Sequence, residues 1–235
     1  MIDRRRLTTS IREHWRAADP AFLLAILLSV LAALPLLIGP GIVNTRAGGD
    51  SPFLLQRTYD LAASIRGGVV PAQWMGLGAY GLGYPFFRYY AAFPYYVAAV
   101  LDLAGAGVLW GVKLAQLLGF VIAGAAAYAL LRRMGAGRAG ALLASAAYTF
   151  APFHLLNVYV RGDSLSEFYA MALYPVILCA LLRLEQHPSA RNVALAAISY
   201  ALLMLTHNIS ALIFSPLLAL ALLLRAARLR GRSPW

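Results

Sequence analysis

A chain of 235 residues that is 61% hydrophobic and 12% charged carries more apolar surface than a soluble domain of that size can hide. Its formal net charge of +11 does not point to nucleic acid, because the arginines fall in short clusters between long apolar runs, the pattern of membrane loops. The single cysteine, Cys179, sits inside an apolar run, which excludes a disulfide framework and a cysteine-based metal site.

Residues 1–20 hold five arginines and precede the apolar run 21–38. That run is longer than a signal-peptide core and ends without a small-x-small cleavage pattern, so it reads as an uncleaved anchor with a cytoplasmic N-terminus. A long outer loop, 40–105, is expected next. Within it, Ser51–Arg66 places Leu54, Leu61 and Ile65 on one helical face and Gln56, Asp60 and Ser64 on another. Pro52 suits the first turn and Gly67-Gly68 stops the helix, which is expected to lie on the outer leaflet, apolar face down.

Residues 72–96 are dense in aromatics, among them Trp74, Tyr80, Tyr84, Phe86, Tyr90 and Tyr96. Their default role is an interfacial belt; stacking on sugar rings or covering a polyprenyl tail are the alternatives. Residues 76–81 spell G-x-G-x-x-G, but no strand precedes them, so a dinucleotide site is discarded.

The apolar segment 86–104 either crosses the membrane or lies along its outer face. If it does not cross, the N-terminal five arginines join Arg132, Arg133, Arg138, Arg183, Arg191, Arg225, Arg228, Arg230 and Arg232 inside, 14 of the 20 basic residues. The positive-inside rule favours that arrangement, and Pro94 and Asp102 make the segment a poor lipid-exposed span. Apolar runs then follow at 106–131, 139–159 and 165–184. The double-length run 192–224 reads as a helical hairpin with His207-Asn208 at its tip. The expected fold is an all-α polytopic membrane protein of about six transmembrane helices, multi-pass in the cell membrane. Its parts are a basic cytoplasmic N-terminus (1–20), a transmembrane domain (21–225) and a basic cytoplasmic tail (226–235).

With this topology Asp50, Asp163 and Glu167 face outward. Asp50 directly precedes the amphipathic helix and suits either an N-cap or a general base. Asp163 and Glu167 are four apart and share a face on any helix that begins there, while Arg161 is a ready ion partner. Glu167 falls in the first turn of a membrane helix, where an unpaired carboxylate is costly, so a functional role is favoured. His207 reads more often as a turn residue, and Lys113 more often as a lysine that snorkels to the headgroups than as a phosphate ligand.

Two blocks of residues then carry a family resemblance: Gly49-Asp50-Ser51 with Gln73-Trp74 and Gly83-Tyr84-Pro85, and Arg132-Arg133 with Ala151-Pro152-Phe153 and Arg161-Gly162-Asp163 through Glu167. With Leu205-Thr206-His207-Asn208, they resemble the N-terminal half of the 6-pyruvoyl-tetrahydropterin-synthase-related membrane domain, whose members are similar to membrane glycosyltransferases of the GT-C fold. The pterin label implies no pterin chemistry, since no zinc-histidine site is present. The resemblance implies sugar transfer from a polyprenyl-phosphate donor to an extracytoplasmic acceptor at the cell envelope. Asp50, Asp163 and Glu167 would be the catalytic acids. Arg161, His207, Lys113, Arg88 and Tyr84 would bind substrate, and Asp50 and Asp163 would hold any divalent metal ion. The expected partners are the bilayer and the lipid-linked sugar, with no nucleic acid. The competing readings are a non-catalytic assembly or lipid-binding subunit and, behind it, a transporter.

Overall fold

The computed structural model describes residues 19–43, 51–161 and 164–230, the last five of these by backbone alone. Asp19 starts the first helix. Its carboxylate accepts the Ala21 N–H at 3.2 Å and Pro20 fills the first turn, giving α1 at Pro20–Ile38.

Helix α2 spans Ser51–Arg66, the bounds expected from its pattern, and Ser51 Oγ donates to the Val43 carbonyl at 2.8 Å. It ends as Gly68, at φ 78°, lets the Gly68 and Val69 N–H groups close on the Ile65 and Ser64 carbonyls. Two expectations fail here. The apolar face packs against protein, on the helices at Phe93–Leu101 and Val108–Arg133, and not on lipid. Asp60, expected on the wet face, is buried, because the loop that follows folds back over it and donates the Leu77 N–H to its carboxylate at 3.3 Å.

That loop is pinned where Met75 and Tyr84 exchange both backbone hydrogen bonds, at 2.7 and 2.9 Å. The glycine-rich stretch between them turns through a short 3₁₀ segment, Ala79–Gly81. Gly83 lies under the Trp74 indole, so close that a Cβ would sit 2.1 Å from Nε1.

Helices α3 (Phe86–Tyr89) and α4 (Phe93–Leu101) follow, and α4 runs into a π turn at Asp102–Ala106. From Phe93 to Ala106 the rise is about 21 Å, short of the ~30 Å hydrocarbon core, as the expectation that this segment does not cross requires. Asp102, buried, ion-pairs with Arg66 at 3.0 Å. The chain reverses through Gly105 (φ 100°) and Gly107 (φ 77°) into α5, Val108–Arg133.

Helix α5 is the axis of the bundle. Gly111 meets the Ala98 carbonyl of α4, Gly119 meets the Phe168 ring and Gly124 meets Ser29 of α1, each at a distance that a Cβ would violate. Small residues let membrane helices approach this closely where no hydrophobic effect drives them together.

The third apolar run is interrupted. Helix α6 (Arg138–Thr149) breaks at Ala151, whose extended backbone is what Pro152 demands of its predecessor. The chain continues as α7 (Pro152–Leu155) and a π turn, Leu156–Val160. Helix α8 spans Leu165–Gln186, and the final run is the expected hairpin: α9 (Ala190–Thr206), an extended His207, then α10 (Asn208–Arg230). Helix α10 continues past Arg225 into the stretch expected to be a tail. Among the described residues five helical runs are long and apolar enough to span a membrane, the interrupted run Arg138–Val160 counted as one. Helix α9, with 17 residues, rises about 25 Å and packs against α8 and α10; it is apolar but shorter than the five, so the sixth crossing stays an expectation.

Contacts sort the two ends of the bundle. At one end Asp19 meets Tyr128 and Arg138, Arg133 meets Gln186, and Glu185 pairs with Arg225. At the other lie α2 to α4, the π turn after α7, the first turn of α8 and the α9–α10 junction. Of the arginines with described side chains, Arg132, Arg133, Arg138, Arg183, Arg191 and Arg225 lie at the first end, and Arg57, Arg66, Arg88 and Arg161 at the other.

Candidate functional site

Three of the singled-out residues converge at the end opposite the arginines. The π turn ends at Arg161, whose guanidinium donates to Asn157 Oδ1 at 3.0 Å and to Glu167 Oε2 at 2.6 Å. Glu167 stands in the first turn of α8, where a carboxylate is favoured by the helix dipole, and it also accepts from Ser164 Oγ at 2.9 Å. The carboxylate expected to be costly is therefore neutralised and half sheltered. His207 is close enough to both to feel their charges.

His207 is positioned by α10. Its Nδ1 accepts the Ser210 N–H at 3.3 Å, as a helix cap does, so the neutral ring carries its proton on Nε2. Burial holds the imidazole below its ordinary value, which Glu167 partly offsets and Arg161 reinforces. The ring is thus a neutral donor beside an arginine–glutamate pair.

A cavity of about 440 Å³ adjoins this cluster, lined by Phe87, Arg88, Tyr89, Tyr96, Met204 and Asn208 among others. Two contacts tie the lining to the helices behind it: Asn208 reaches the Tyr89 carbonyl at 3.5 Å, and Ser166 of α8 reaches the Ala91 carbonyl at 3.4 Å. Asn208, which lines the cavity, follows His207 directly, so cavity and charged cluster adjoin at the α9–α10 junction.

The other expected site residues fare differently. Asp50 and Asp163 lie outside the described residues. Arg88 lines the cavity and donates to Gln73 at 2.7 Å. Tyr84 is exposed and holds its loop through its backbone. Lys113 does not snorkel: it is buried, lies over the Trp110 ring, and donates to the Gly39 carbonyl at 2.5 Å, satisfying the end of α1. A lysine so engaged is not free to hold a substrate phosphate. Among the described residues no group of three His, Cys, Asp or Glu side chains is placed to hold a metal ion. Glu167, already neutralised by a guanidinium, does not fit a cation site.

Sequence reasoning missed two features. Arg57 of α2 lies among four rings, 4.5 Å from the Phe86 centroid and 5.5–5.7 Å from those of Phe53, Tyr90 and Tyr95, and donates to the Tyr95 hydroxyl at 2.9 Å. Three rings of the aromatic stretch, with Phe53, thus form a layer around one cation, visible in sequence only as an arginine on an otherwise ordinary amphipathic helix. The second feature is a polar line within the broken third run, where His154 and Asn157 are buried below Arg161. His154 Nδ1 donates to the Tyr148 carbonyl, while His154 Nε2 and Asn157 Nδ2 have no partner among the described residues. Pro152, in the middle of an apolar run, was the signal available for that break.

Residues 87–233, more than half of the chain, match the family described as the 6-pyruvoyl-tetrahydropterin synthase related domain, a membrane protein. The first block of the resemblance, from Gly49 to Pro85, lies ahead of the matched residues. No curated protein and no solved structure matches the chain.

Proposed function

The chain belongs to this family of membrane proteins, and from that premise we propose that it is a GT-C-like glycosyltransferase module working at the face opposite its arginines. It would move a sugar from a polyprenyl-phosphate donor to an extracytoplasmic acceptor. The observation that carries the reading is the convergence of Arg161, Glu167 and His207 beside an aromatic-walled cavity at a bundle end.

The chemistry divides as follows. An acceptor hydroxyl oxygen attacks the anomeric carbon as the bond from that carbon to the phosphate oxygen breaks. The hydroxyl proton passes to a carboxylate, and negative charge develops on the departing lipid phosphate. Glu167, bound by Arg161 and Ser164, is a poor base, and its role is to hold the guanidinium in place. Arg161 and the His207 Nε2–H then meet the phosphate as charge appears. The base role falls to Asp50.

One observation favours the second reading, a non-catalytic lipid-binding or assembly subunit. Every described cation and acid expected to act on substrate already has a protein partner. The test is transfer of labelled sugar from a polyprenyl-phosphate sugar panel by membranes containing the full chain. Asp50→Asn is expected to lower transfer by about 10²–10⁴, the range of a general base, without loss of folded protein. A well-folded wild-type chain that binds the lipid but transfers nothing would leave the second reading standing.

A further inference from the structure

We propose that the arginine end of the bundle holds one anionic phospholipid, an acyl chain in the groove between α5, α8 and α10 and its phosphate on Arg133 and Arg225. The groove measures about 420 Å³ and is walled by Leu130, Met134, Leu181, Leu182, Leu218 and Leu222. It exists because α10 packs loosely. Only 11% of the apolar window of α10 is buried, against 50% for α8, so leucines that a tighter helix would cover stay open. All three walls are helices apolar and long enough to span the bilayer, and the proposal sets the groove against its hydrocarbon.

One end of the groove is charged. Arg225 belongs to the lining and pairs with Glu185, which lines it too. Arg133, between Leu130 and Met134 of the lining, reaches Gln186 only at 3.5 Å, and its Nε is buried without a partner among the described residues. From Leu218 to Arg225 the helix rises roughly 10 Å, so an apolar trough leads to the Arg225 guanidinium, with Arg133 next to the lining residue Met134 on the facing helix. That is the layout of a lipid, tail first and phosphate after.

Charge complementarity selects the headgroup. At this end the described residues include Arg132, Arg133, Arg138, Arg183, Arg191 and Arg225, opposed by Asp19 and Glu185. Guanidinium forks suit phosphate oxygens, and each basic group near an anionic lipid surface adds appreciably to binding. Glu185 competes with the phosphate for Arg225. The site is at the opposite end from the proposed sugar transfer and does not depend on it.

The experiment adds phosphatidylglycerol or phosphatidylcholine to the delipidated full chain in detergent and counts retained lipids by native mass spectrometry. Phosphatidylglycerol is expected to be retained in preference. Glu185→Gln is expected to raise its retention about fivefold, because a competing acid is removed. Leu222→Trp, which fills the trough, is expected to abolish the preference, with folding checked by thermal melting. If Leu222→Trp does not fold, the Glu185→Gln arm decides. Equal retention of the two lipids, or weaker retention in Glu185→Gln, overturns the proposal. So does a dimer that Leu222→Trp dissolves while lipid retention stays unchanged.

Discussion

The two ends of the bundle are built on different rules. At the arginine end, regular helices run out to exposed arginines and meet through a few polar contacts, such as Asp19 with Tyr128 at 2.7 Å and Arg138 at 3.2 Å. At the opposite end, helices break at Ala151, His207 and the π turns, and the freed backbone and side chains are turned onto one another. Regular helices satisfy their own backbone and can end simply at the membrane surface. A recognition site in or near lipid needs broken helices, and each break must be satisfied by neighbours.

The largest test of this contrast is which end lies outside. Single cysteines at Gly137 and Ser164 in a Cys179→Ser background are expected to differ in labelling by an impermeant reagent, position 164 reacting in intact cells and 137 not. The reverse pattern would turn the molecule over and remove the proposed site from the envelope face.

Next is packing along α5. Gly111→Ala is expected to destabilise by about 1–3 kcal/mol, since its Cβ would meet the Ala98 backbone carbonyl, which cannot swing away. Gly124→Ala should cost less, because it meets chiefly the hydroxyls of Ser29 and Thr149, which rotate. Equal losses in detergent melting would show that the site end is no more tightly specified than the other.

A smaller effect separates two arginines. Arg57→Leu is expected to cost about 1–2 kcal/mol through loss of its ring contacts, with Arg57→Lys recovering part of it. Arg138→Ala, half exposed, should stay within about 0.5 kcal/mol. Comparable losses for the two would make the aromatic layer a belt after all.

The finest contrast is in pH. Burial holds Asp60 above its ordinary value, so the fold binds that proton more readily than the unfolded chain does. Its contribution to stability is greatest below about 3.8 and is lost as pH rises through the raised value. The Tyr128 hydrogen bond lowers Asp19, with help from the Ala21 N–H and Arg138, so its contribution is present above 3.8 and lost as pH falls through the lowered value. At pH 7, Asp60→Asn is expected to raise the melting temperature slightly and Asp19→Asn to lower it. Shifts of the same sign would show that the two carboxylates sit in similar surroundings.

Much of this was legible in the sequence because it follows from composition and short-range pattern. Apolar length set the spans, Gly67-Gly68 ended α2, and His207 marked the hairpin turn, since each depends on residues within a few positions. Tertiary structure alone decided which polar groups meet. Lys113 looked like a snorkelling lysine and instead closes the end of α1, 74 residues earlier in the chain. Asp60 looked solvated and is covered by a loop that the sequence does not fold on its own. Arg57 looked like one charge on a wet face, and rings from 33 and 38 residues later enclose it. In each case a long-range contact replaced water. Burial of a polar group is tolerated where a partner waits, and the partner's position depends on how the helices pack, which local pattern does not encode.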